Sequence, residues 1–227
     1  MSLSNRLEIL LGLSFVLSFF SWGRRVLFPF QIFTTWVHEC CHAAAALFLG
    51  GEAISITISP DGSGLTKYKI PKGNLRYGLI ASAGYPGASM GGCLIFYLAV
   101  STEKNSHYWN AHSMIIFLCS LITLSLLFWV RNLFGFISTL LLGLALAALN
   151  YAPMEHYSHE ILLFLSIQTA LNALFDIRTL FGFKSSKSTI SDAHVLQKLF
   201  YLPHWCWAIS WLGLSLFMMF WTVQHTI

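Results

Sequence analysis

Charge is scarce in this chain. Only 10% of its 227 residues are Asp, Glu, Lys or Arg, while 56% are hydrophobic. A soluble domain carries about 25% charged residues, enough to coat its surface. The shortage argues against an ordinary soluble globule and points to the membrane class. Aspartate is rarest, at Asp61, Asp176 and Asp192 alone. The net charge of +4 is scattered over loops, with no dense basic run interleaved with aromatics, which speaks against nucleic-acid binding. The five cysteines (Cys40, Cys41, Cys93, Cys119, Cys206) all lie in apolar stretches. Their spacing matches neither a zinc knuckle nor a disulfide framework, so they are taken as packing residues. Internal repeats and long linkers are also missing, so residues 1–227 are expected to form one integral membrane domain.

What the chain has is apolar length. Seven runs approach the ~20 residues that cross a bilayer as a helix: 7–22, 26–49, 77–100, 112–130, 133–152, 161–183 and 203–223. The expected fold is all-α and polytopic, with six to seven transmembrane helices. The first run is short and contains Glu8; bulky residues before Gly23 make a poor cleavage site, so an uncleaved helix is expected. Between the second and third runs, Ile54, Ile56 and Ile58 alternate with polar residues at the period of a strand. "PDGSG" then supplies a turn and "LTKYKI" a second strand, predicting a β-hairpin over about 53–70.

Loop cations set the orientation. With seven spans, Arg6, Lys67, Lys69, Lys72, Arg76, Arg131, Arg178, Lys184, Lys187 and Lys198 share one side. Arg24, Arg25 and Lys104 lie on the other. The hairpin is therefore expected on the cytoplasmic side of a cell (inner) membrane.

The second run contains His38-Glu39-Cys40-Cys41-His42, an HExxH motif. Positions i and i+4 share a helix face, so both imidazoles can reach one metal ion. Two such nitrogens suit Zn²⁺, and Glu39 beside it suits a general base. A shuffled chain of this composition holds HExxH by chance roughly 1% of the time. Ionisable groups in a span cost at least ~2.5 kcal/mol each on insertion scales, so packing is a poor explanation for three together.

A catalytic zinc usually has three protein ligands. Asp61 belongs to the hairpin turn, and Asp192, in "SDAHVLQKLFYLPHW", reads as a helix-start residue. Asp176, in the sixth run, is the expected third ligand; the alternative is an ion pair with Arg178. Asn172, one turn earlier, either binds substrate, through its backbone or at an oxyanion, or links helices.

Those residues carry a resemblance. HExxH on one spanning helix with Gly50-Gly51 after it, a "PDGSG" turn and an Asp on a later span resemble the site-2-protease family of intramembrane zinc metallopeptidases, in its compact bacterial-type branch. The resemblance implies one Zn²⁺ held by His38, His42 and Asp176, with Glu39 as catalytic base. The family's Leu-Asp-Gly stands here as Phe175-Asp176-Ile177. The implied activity is hydrolysis of peptide bonds in membrane-embedded or membrane-associated proteins, so the implied partners are the bilayer and a membrane protein substrate. The alternatives are a zinc-binding scaffold or chaperone without protease activity, and an ion-coupled transporter.

Three further stretches have plainer readings. "AGYPGASMGG" (83–92) is expected to pack helices closely, "HYSHE" (156–160) to be a solvated loop, and Trp205, Trp207, Trp211 and Trp221 to anchor the last span at interfaces.

Overall fold

The computed structural model describes residues 3–104, 110–151, 154–181 and 191–226, without the side chains of 102–104, 155, 156 and 179. It is mostly helical. α1 (Leu3–Phe19) and α2 (Ser21–Phe48) precede the hairpin β1 (Glu52–Ile58) and β2 (Gly64–Lys69). Then come α3 (Asn74–Ala81), α4 (Gly84–Lys104), α5 (Ala111–Phe128) and α6 (Leu133–Ala148). A short 3-10 turn, Met154–Tyr157, leads into α7 (Ser158–Thr179), α8 (Asp192–Phe200) and α9 (His204–Thr226).

Among the described residues, three helices are long and apolar enough to cross a membrane: α5, α7 over Ser158–Arg178, and α9. Two bent pairs raise this to five, α1 with α2 at 118° and α3 with α4 at 43°. The count falls below the six to seven runs for identifiable reasons. The first two runs turn sharply at Phe20 and form one bent pair. α6 has only 16 residues, about 24 Å of helix against a hydrocarbon core of about 30 Å. The end of the sixth run, and Lys184 and Lys187 after it, lie outside the described residues. Only 28% of α5 and 22% of the α9 window are buried, so large apolar faces point outward. Those faces suit a hydrocarbon solvent rather than water.

α2 is central and packs on α1, α3, α4, α6, α7 and both strands. Phe33 and Ile32 are buried on it beside Ile115, Ile122, Leu162 and Leu163. Lipid supplies no hydrophobic drive between helices, so small residues and interhelical hydrogen bonds matter, the latter averaging about 0.6 kcal/mol each. Trp36 donates to Ser125 (2.8 Å), Gln168 to Ser14 (2.7 Å) and Ser89 to Ser215 (2.7 Å), tying α2 to α5, α7 to α1 and α4 to α9. The small-residue stretch packs closely: a side chain at Gly87 would strike Cys41 on α2, and one at Gly92 the Ala170 backbone on α7.

Two readings change. The "HYSHE" stretch is not a solvated loop in its described part. Buried Ser158 donates to the Leu149 carbonyl (2.6 Å), and His159 Nε2 to the Ala99 carbonyl (2.9 Å). The side chain of His156 lies outside the described residues. Trp211 is buried and stacks on Tyr85 (5.1 Å) instead of anchoring at an interface. Trp205 and Trp221 are exposed.

The hairpin is antiparallel, with a bulge between Ala53 and Ser55. Its two edges differ. On β1, Ile56 N–H donates to the Trp129 carbonyl (2.7 Å) and its C=O accepts from Arg131 (3.1 Å). Asn132 then clasps both backbone groups of Ile58, at 3.1 and 2.7 Å. The corner between α5 and α6 therefore caps this edge. Ser59 N–H donates to the Ser63 carbonyl (2.8 Å), which fixes the alternation. Leu65 and Lys67 point their backbone groups at β1, while Gly64, Thr66 and Tyr68 point theirs to the opposite edge. No backbone from the described residues pairs with that edge.

Replacing Asn132 by Ala would strip both partners from Ile58. The expected cost is about 1–3 kcal/mol, read as faster limited proteolysis within 59–63 and a lower unfolding temperature in detergent.

Candidate metal centre

The centre begins on α2. One helical turn brings His38 and His42 onto one face, and their Nε2 atoms lie 3.0 Å apart. His42 Nδ1 donates to the Ile80 carbonyl (2.7 Å) at the end of α3, which fixes the tautomer and leaves a lone pair on Nε2. The third group comes from α8. Asp192 Oδ2 lies 3.3 Å from His38 Nε2 and 3.2 Å from His42 Nε2. Burial alone would push the Asp192 carboxyl up; whenever the histidines are protonated, their charge and hydrogen bonds outweigh that and hold it well below the usual carboxylate range.

This donor set fits a metal ion. A lone pair facing a carboxylate oxygen is repulsive unless a proton or metal cation lies between them. Zinc bonds of about 2.0–2.1 Å in a tetrahedron put neighbouring ligand atoms about 3.3 Å apart. The three separations here, 3.0, 3.2 and 3.3 Å, lie at or slightly below that edge. Two imidazoles and one carboxylate form a common catalytic zinc set and leave a fourth position for water or substrate.

The sequence put Asp176 third, and here the structure differs. Among the described residues, the group able to hold a metal is His38, His42 and Asp192. Asp176 stands outside it, partly buried in the last turns of α7, though near enough to His38 for their charges to interact. Asp192 arrives because α8 docks on α3. Ala193 and Leu196 are buried, and Gly78 on α3 leaves room for Phe200. Asp192 is in a first helical turn, as expected, and the same placement brings its carboxylate to both histidines, which its reading as a helix-start residue does not anticipate. The signal was there: Ser191-Asp192-Ala193 keeps a small residue after the acid, as Leu-Asp-Gly does, whereas Phe175-Asp176-Ile177 does not.

Glu39 is 4% exposed and close enough to His42 for their charges to interact. Its Oε2 accepts from the Thr66 hydroxyl of β2 (2.7 Å), and Oε1 accepts no hydrogen bond from the described residues. Asn172 Nδ2 donates to Thr34 Oγ1 (3.4 Å), the helix-linking alternative. α4 closes the other side. Tyr85 meets His38 edge-on (4.7 Å) and is backed by Trp211 of α9. Gly84 lies so near that an added Cβ would strike the Nε2 atoms of both histidines.

Two metal analyses check this geometry. Asp192→Ala should lower zinc content of the purified protein sharply, with Asp176→Ala near wild type; the reverse pattern would restore Asp176 as ligand. Gly84→Ala should also deplete zinc, although it removes no donor.

The comparisons agree with this picture at family level. A family model described as Peptidase M50B-like matches residues 11–222, which include the HExxH helix, the hairpin and Asp192. No match is found among curated proteins or solved structures. The chain belongs to the Peptidase M50B-like family, and so to the site-2-protease family of membrane metallopeptidases.

Proposed function

We propose that the chain is an intramembrane zinc metalloendopeptidase that hydrolyses peptide bonds of membrane-embedded or membrane-associated proteins. The observation that carries this reading is the convergence of His38, His42 and Asp192 at zinc-ligand spacing beside the carboxylate of Glu39. These three residues would hold the ion. Bound there, zinc supplies a Lewis acid that brings the pKa of water toward 7 and polarises the scissile carbonyl.

The chain's own residues do the rest. Glu39 Oε1 takes the proton as water adds to the carbonyl and returns it to the leaving nitrogen as the C–N bond breaks. The Ile80 carbonyl keeps His42 in the ligating tautomer. A substrate helix hides its carbonyls in hydrogen bonds, so the segment to be cut must be extended. The unpaired edge of β2, with the backbone groups of Thr66 and Tyr68, suits pairing with such a strand. Lys67, Lys69, Lys72 and Arg76 are all exposed around the hairpin and the start of α3. By the positive-inside rule this end is cytoplasmic, and water enters from there.

Cleavage is measured with a fluorogenic single-span peptide carrying a helix-breaking Gly-Pro pair, in proteoliposomes. Glu39→Gln should retain zinc and lose cleavage by about 10²–10⁴-fold, the range of a lost general base. Normal cleavage by Glu39→Gln would sink the mechanism. A wild-type protein that binds zinc and cuts no membrane peptide would favour the non-proteolytic alternative.

A further inference from the structure

The hairpin does more than present an edge. The inward face of β2 carries Gly64, Thr66 and Tyr68 in alternation, and all three meet the site. An added Cβ at Gly64 would collide with the carboxylate of Glu39, so this glycine lets the strand lie against the base. Thr66 is 8% exposed, and its hydroxyl has two acceptors in reach, Glu39 Oε2 at 2.7 Å and the Glu39 carbonyl at 3.0 Å. A hydroxyl has one proton, and the carboxylate is the stronger acceptor at the shorter distance. Tyr68 lies where the Asp192 charge adds to burial in raising its phenol.

We propose that Thr66 is a positioning residue for Glu39. Its hydroxyl holds Oε2 and thereby turns Oε1 toward the reacting water; the inference rests on the metallopeptidase reading above. Three features support the assignment. The bond spans elements distant in sequence, since Glu39 is on α2 and Thr66 on β2. Among the described residues the Thr66 hydroxyl has no acceptor other than Glu39. Threonine is stiff at χ1, so its hydroxyl direction is fixed by the strand. The same residue offers its backbone on the unpaired edge, so a strand added there is placed in register with the base.

Thr66→Val keeps the shape and removes the donor. In the fluorogenic peptide assay it should lower kcat by about 10–100-fold, the range for a hydrogen bond to a charged group. KM and zinc content should stay near wild type. Thr66→Ser should recover most of the rate. Adding Thr66→Val to Glu39→Gln should cost nothing further, because Thr66 acts only through Glu39. The proposal is overturned by wild-type kcat in Thr66→Val, by zinc loss in that variant, by Thr66→Ser being equally slow, or by additive losses in the double variant. If Glu39→Gln itself cleaves normally, the metallopeptidase mechanism fails first, and the two failures are distinguishable.

Discussion

Two imidazole nitrogens 3.0 Å apart face one carboxylate oxygen at 3.2 and 3.3 Å, and the helices are arranged around that constraint. Such a cluster must be shielded from lipid and neutralised by a cation. α2 provides both histidines from the centre of the bundle, where they are enclosed by α3, α4 and α8. Gly84 lets the α4 backbone approach the nitrogen atoms, and the Tyr85–Trp211 stack buttresses His38 from α9. The small residues of α4 thus serve packing and chemistry together, because only a helix without side chains at those points can lie so near a metal centre.

The hairpin depends on the same helix. One edge is consumed by the α5–α6 corner through Ile56, Ile58 and Asn132, which fixes its position, and among the described residues the opposite edge has no backbone partner. Thr35 also donates to the Gly62 carbonyl in the turn (2.7 Å), so α2 grips the hairpin one turn before the HExxH residues. An exposed strand edge is normally a liability. Beside Glu39, under the proposed function, it would hold an extended peptide, which suits a reaction whose substrate must first lose its helical hydrogen bonds.

Much of this was legible in the residues. Scarce charge pointed to a membrane, HExxH on a helix put two histidines on one face beside a carboxylate, and alternating isoleucines before "PDGSG" gave the hairpin. These signals are local, with periods of two to four residues. The span count was less legible, because hydropathy does not record the sharp turn at Phe20 or the shortness of α6. The "HYSHE" stretch was misjudged for a related reason: Ser158 and His159 are polar, yet their partners are carbonyls of Leu149 and Ala99.

The sequence by itself determined the apolar character of the helices, the helix that carries the motif and the face that its two histidines share. Only the tertiary structure decided which aspartate meets the two histidines. Asp176 has the apolar surroundings expected of a buried ligand, but Asp192 is carried into place by the docking of α8 on α3, where Leu196 and Phe200 fill the space left at Gly78. Tertiary structure likewise revealed the hydroxyl of Thr66 on Glu39. Contacts between residues far apart in the chain follow from how elements pack, and no spacing rule within one element encodes them.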